Sequence, residues 1–149
     1  MESGFHMLLY RAFHAQRSCL RPWRAALGLG PGQPKLIEYL ARSGPCSQRQ
    51  LATYFEIDPA AVCRMLDALE KGGFVTRSAV KGDRRTGVVE LTEKGRSAAA
   101  AWQHACGEME QQLLQGFTPE EAERFAQYLR RARENLRAVQ SHRQKDDVP

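Results

Sequence analysis

Lys81-Gly-Asp-Arg-Arg-Thr-Gly-Val-Val-Glu-Leu-Thr-Glu-Lys-Gly-Arg96 places a charged run between two glycines, follows it with a short apolar run, and then reaches a helix start. Glycine enters and leaves a tight turn without steric penalty, so Gly82 and Gly87 are expected to bracket the tip of a β-hairpin. Val75 to Lys81 would form its first arm and Gly87 to Leu91 its second. Thr92 then offers a hydroxyl as helix N-cap, with Glu93 in the first turn complementing the helix dipole. Arg84 and Arg85 at such a tip suit a polyanion with a groove or a row of phosphates, although a merely solvated turn has the same composition.

What precedes the hairpin decides between those readings. Ser47-Gln-Arg-Gln50 has the form of a capping box, and Leu51, Ala52 and Phe55 follow it as a short helix. Glu56-Ile-Asp58 leaves room only for a turn. Asp58-Pro59 then restarts a helix, with an aspartate cap and a proline at the first helical position. Val62, Met65, Leu66 and Leu69 repeat at three and four along it, which leaves Ala60, Ala61, Cys63 and Arg64 on other faces until Gly72-Gly73 stops it. Two short helices joined by a tight turn, the second opening with small residues and one cation, describe a helix-turn-helix. Small residues let the first turns press into a major groove, and Arg64 can reach a phosphate or a guanine edge. Followed by a basic hairpin, the unit is a winged helix.

Together, Leu51-Ala52, Asp58-Pro-Ala-Ala-Val-Cys-Arg64, Leu69-Glu-Lys-Gly-Gly-Phe-Val-Thr-Arg77, Asp83-Arg-Arg85 and Leu91-Thr-Glu-Lys-Gly95 resemble the MarR family of bacterial transcription regulators. The resemblance is close over the middle of the chain and extends to the flanking helices by layout. It implies that Asp83 braces the wing, that Arg85 enters a minor groove, and that Arg64 sits in or beside a major groove. The candidate DNA-facing residues are Ser47 and Gln48 before the turn, Pro59, Ala60, Ala61, Cys63 and Arg64 after it, and Arg77, Lys81, Asp83, Arg84 and Arg85 on the wing. Cys63 stands where the family often has threonine, so a hydroxyl contact is lost there and a thiol gained.

The flanks read as helices. Phe5, Leu8, Leu9 and Phe13 follow helical spacing up to Leu20, and Pro22 is expected to interrupt the helix. Leu27-Gly-Leu-Gly-Pro-Gly32 is a loop, with Pro31 expected in the first turn of a helix carrying Leu36, Ile37 and Leu40 and ending at Ser43-Gly-Pro45. After Thr92 a long helix runs past Trp102, Met109 and Leu113 to Gly116. Thr118-Pro-Glu-Glu121 is a second capping box, opening a last helix with Phe125, Tyr128, Leu129 and Leu136. Beyond Ser141 the polar tail is expected to fray, with 143–149 disordered. These end helices hold more apolar surface than a winged helix needs, so dimerisation is the natural outlet, and a C2 dimer matches a palindromic operator.

With 149 residues, 42% of them hydrophobic, one domain with a real core is expected. The fold class is mainly α with a small β-hairpin wing: a winged helix-turn-helix over 31–91 plus terminal dimerisation helices over 1–30 and 92–142. No run of about 18 apolar residues or signal-peptide pattern occurs, which predicts a cytoplasmic protein without a membrane partner. A net charge of +5 favours nucleic acid modestly. Cys19, Cys46, Cys63 and Cys106 lack zinc or disulfide spacing, so reduced thiols and no metal are expected. No nucleophile elbow or phosphate-binding glycine loop appears, so no cofactor and no enzyme activity are expected. The function inferred is a dimeric DNA-binding regulator, a repressor released by a small aromatic ligand; a thiol-based redox sensor on the same scaffold is the alternative. The resemblance implies a ligand crevice between dimer helices and winged helix, for which Tyr10, Phe13, His14, Trp102 and His104 are the candidates. As core or seam residues they would need no ligand at all.

Overall fold

A computed structural model of the chain describes the backbone of residues 4–80 and 83–146, and the side chains of all these except 79–80, 83–86 and 144–146. The chain falls into two compact units, Met1–Met109 and Glu110–Pro149.

In the first unit α1 spans Phe5–Ala26, α2 Pro34–Ser43, α3 Gln48–Phe55, α4 Pro59–Lys71, and α5 begins at Glu93 and runs to Leu113 across the boundary. Three antiparallel strands complete it: β1 Cys46–Ser47, β2 Val75–Val80 and β3 Asp83–Leu91, in the order β1-β3-β2. One core joins α2, α3, α4, the sheet and the start of α5, with Leu36, Ile37, Leu51, Val62, Leu66 and Leu69 fully enclosed. On the strands Val75, Val89 and Leu91 face this core while Thr76, Val88 and Glu90 face out, the two-residue alternation of a sheet covered on one side. A smaller cluster of Leu20, Trp102, Ala105 and Met109 joins α1 to α5.

Both caps of the helix-turn-helix form. Gln50 N–H donates to Ser47 Oγ at 3.1 Å while Ser47 N–H donates to Gln50 Oε1 at 2.8 Å, and Ala60 N–H donates to Asp58 Oδ1 at 3.4 Å. Glu56 takes a left-handed φ of 54° and turns the chain between α3 and α4.

Several expectations require correction. Pro22 lies inside α1 instead of ending it; it is solvent-exposed, so its ring needs no room in the core, and the helix loses only one backbone bond there. The proline that opens α2 is Pro34, because Gly32 at φ 81° cannot belong to a helix that starts at Pro31. Gly87 does not close the hairpin tip: β3 begins at Asp83, and an irregularity in the register between Ser78 and Val80 takes up the extra residues of the longer arm. Strand β1, pairing Cys46 with Val89 and Ser47 with Val88, adds a third strand to the expected two.

In the second unit α6 spans Pro119–Asp146, so helix continues into the segment expected to be frayed; residues 147–149 lie outside the described residues. Its capping box is formed, with Glu121 N–H donating to Thr118 Oγ1 at 3.1 Å and Thr118 N–H to Glu121 Oε2 at 2.8 Å. Phe117 and Phe125 meet with ring centroids 6.0 Å apart.

Candidate nucleic-acid interface

Helix α4 buries Val62, Leu66 and Leu69 and thereby turns its opposite side outward. On that side Pro59, Ala60 and Arg64 are exposed and Ala61 and Cys63 half-buried, a low-profile surface with one cation at its centre. The preceding turn holds the helix by its N-terminus, where backbone N–H groups and the dipole favour a negative partner. Ser47 is half-buried and committed to its cap. Gln48 departs from the expected exposed position: as the first residue of α3 it points inward and is buried, its Oε1 without a partner among the described residues. It lines an open cleft of about 560 Å³ with Arg49, Asp58, Pro59 and Ala60. Arg49, adjacent and exposed, is the cation that sequence reasoning passed over at this edge.

The wing is fastened to α4 from both ends. From β2, Arg77 reaches across to two carboxylates one turn apart: its Nη2 donates to Asp67 Oδ1, and Nε and Nη2 approach Glu70 at 3.4 Å each. Burial pulls the Arg77 pKa down, but its hydrogen bonds to Asp67 and Glu70 and their charges more than offset this and hold the guanidinium above its ordinary value. From the start of α5, Thr92 N–H donates to Phe74 carbonyl at 3.0 Å, Thr92 Oγ1 donates to Gly73 carbonyl at 2.6 Å, and Lys94 Nζ donates to Gly72 carbonyl at 2.7 Å. Lys94 Nζ also lies 4.5 Å from the centre of the Phe74 ring. This joint ties the end of the recognition helix to the beginning of α5, and it explains Gly95: a Cβ there would stand 2.0 Å from Phe74 carbonyl oxygen. Lys81 lies outside the described residues, as do the side chains of Asp83, Arg84 and Arg85, whose backbone belongs to β3.

The five residues expected at a ligand crevice separate into different environments. Tyr10, Phe13 and His14 are exposed on α1, with Tyr10 and His14 rings stacked at 6.2 Å. Trp102 is buried in the cluster with Leu20, Ala105 and Met109, and that packing accounts for it. His104 is exposed and sits 3.1 Å from Glu108 one turn along α5. None of Cys19, Cys46, Cys63 and Cys106 is in a disulfide; burial pushes the Cys46 pKa up. Among the described residues no group of three or more His, Cys, Asp or Glu could hold a metal ion, and no helix is long and apolar enough to cross a membrane.

Two helices across a tight turn, the second backed by a core and open at its first turns, with a basic hairpin braced against its far end, define a winged helix-turn-helix protein. Residues 29–86, which hold the helix-turn-helix and most of the hairpin, match the sequence model of the MarR family, and the fold is that of solved MarR-family structures. Among solved structures it is similar to a transcriptional regulator from Listeria monocytogenes assigned to that family and solved with a 26mer DNA, at 21% identity and a TM-score of 0.83 over 100% of this chain and 99% of that one. The DNA complex of MepR from S. aureus is similar at 21% identity and a TM-score of 0.81, covering 90% and 99% of the two chains. A protein from Pseudomonas aeruginosa described as a transcriptional regulator matches at 28% identity and a TM-score of 0.76, covering 87% and 97%.

Proposed function

We propose that this protein is a homodimeric, sequence-specific DNA-binding transcription regulator of the cytoplasm, and not an enzyme. The observation that carries the reading is the open side of α4, where exposed Pro59, Ala60 and Arg64 and half-buried Ala61 and Cys63 form a surface low enough to enter a major groove. Arg64 supplies a base or phosphate contact there, and Ser47 flanks it. Arg84 and Arg85, with Lys81, supply the wing contact to the neighbouring groove, with Asp83 bracing them. The DNA complexes among similar structures support this use of the face.

Pairing of two subunits is supported by apolar side chains left open at both ends of the chain. On α1, Phe5 is 90% exposed and Leu8 and Leu9 are each 53% exposed, while on α6 Leu129, Leu136 and Val139 are 44–61% exposed. Surface of that kind is covered by a partner, and a second copy gives a palindromic operator two matching half-sites. The effector reading, a small aromatic ligand that releases a repressor, rests on the exposed rings of Tyr10, Phe13 and His14; Trp102 and His104 enter it only if the ligand reaches α5. The redox alternative has one observation behind it, the half-buried thiol of Cys63 on the recognition helix itself.

The test is selection of duplexes from a random-sequence pool by the full-length protein, followed by titration of the selected and scrambled duplexes and by sedimentation at micromolar concentration. Palindromic winners bound by a dimer are expected. Equal affinity for selected and scrambled duplexes removes the sequence-specific reading. Repeating the titration after peroxide, with and without reductant, separates the redox alternative from ligand control.

A further inference from the structure

The geometry points to Arg77 as a positioning residue that sets the attitude of the wing against the recognition helix through Asp67 and Glu70, and not as a contact to DNA. This inference rests on the DNA-binding reading above.

Three features of the structure carry it. First, Arg77 shares the core-facing side of β2 with Val75 and stands opposite Val89, which is fully buried, so its stem leaves the edge of the core and its head must cross to α4. Its side chain is 18% exposed, against 55% for Asp67 and 46% for Glu70. The arginine is therefore the inner member of the trio, with two carboxylates between its donors and solvent. Second, Asp67 and Glu70 lie three residues apart on one face of α4, in the half that follows Arg64. A guanidinium fork gripping both resists rotation about either single contact, which one ion pair does not. Third, Arg77 and Ser78 are the last regular rungs of the hairpin: Val75, Thr76, Arg77 and Ser78 pair in register with Leu91, Glu90, Val89 and Val88, and the register then breaks before Val80 meets Asp83. Pairing beyond the break cannot transmit a fixed direction from the core. The direction in which the strand leaves is set at the last rung, where Arg77 ties it to the helix that reads DNA.

The opposite role makes an opposite prediction. An arginine whose work is to contact phosphate gains freedom when its internal carboxylates are neutralised, and removing two negative charges beside DNA raises affinity by itself. An arginine that positions the wing loses its anchor instead. The decisive variant is therefore the double substitution Asp67→Asn and Glu70→Gln, both at half-exposed positions, assayed beside Arg77→Gln, all in the full-length protein. The probe is the duplex that the wild-type protein selects from a random pool.

The double variant is expected to bind that duplex about tenfold more weakly, the order of one lost groove contact, with its thermal midpoint within about 3 °C of wild type because exposed ion pairs add little stability. Adding Arg77→Gln to it should weaken binding no further, since the three groups act as one unit. The loss should also disappear in an Arg85→Ala background, because a wing that has lost its contact has nothing left to aim. Affinity equal to or above wild type for Asp67→Asn with Glu70→Gln overturns the inference, as does an additive loss in either combination. A wild-type protein that retains no duplex from the pool fails the DNA-binding reading itself and takes this inference with it.

Discussion

Substituting Gly95 by alanine should disable the joint between the recognition helix and α5. An ideal Cβ at this position would lie 2.0 Å from Phe74 carbonyl oxygen and 3.0 Å from Leu91 Cδ2. A carbonyl cannot swing aside like the end of a side chain, so α5 must back away by about 1 Å or more to reach van der Waals distance. That retreat stretches the Thr92 bonds to Gly73 and Phe74 carbonyls, now 2.6 and 3.0 Å long, beyond useful range. Two lost bonds at about 1 kcal/mol each, added to an overpacking cost of about 1–3 kcal/mol, give a destabilisation of about 3–5 kcal/mol. For a chain of this size that corresponds to a fall of roughly 10–15 °C in thermal midpoint. Gly107 is the internal control: it lies on the same helix, and a Cβ there would meet nothing within 4 Å. Gly107→Ala should be neutral or stabilising by about 0.5–1 kcal/mol, since alanine costs less than glycine in a helix. Urea unfolding of the two variants beside wild type makes the comparison at one temperature. If Gly95→Ala unfolds within about 1 kcal/mol of Gly107→Ala, the joint yields more easily than its backbone geometry requires and the reasoning fails.

Arg64→Ala should lower affinity for the selected duplex more than for a scrambled one if the guanidinium reads a base, and lower both alike if it touches phosphate, as parallel titrations will distinguish. Arg85→Ala should weaken specific binding by about 1–3 kcal/mol with the unfolding midpoint unchanged, and unaltered affinity at physiological salt would remove the wing contact. Leu8→Glu combined with Leu129→Glu should shift sedimentation toward monomer and reduce binding to a palindrome far more than to a single half-site, because two linked contacts become independent. Thiol labelling at pH 8 should consume Cys19 well before Cys46: Cys19 is exposed, while burial raises the Cys46 pKa and so leaves a smaller fraction as reactive thiolate below it.

The sequence by itself determined the elements whose cause is local. Ser47 with Gln50, Asp58 with Ala60, and Thr118 with Glu121 name helix starts because a cap is a bond between residues two or three apart, and each of those bonds forms. The three-four repeat of Val62, Leu66 and Leu69 likewise fixed which side of the recognition helix faces inward, and hence that Arg64 faces out. Long-range packing decided the rest. Strand β1 is two residues long and exists only because Val88 and Val89 present their backbone to it. Gln48 and Trp102 carry polar or aromatic groups that suit a binding face, yet neighbours remote in sequence enclose them. Pro22 lies inside α1 at a solvent-exposed position, a placement that its residue type does not announce. Gly95 reads locally as one small residue in a helix start; its necessity comes from Phe74, twenty-one positions away, whose carbonyl occupies the space any side chain would need.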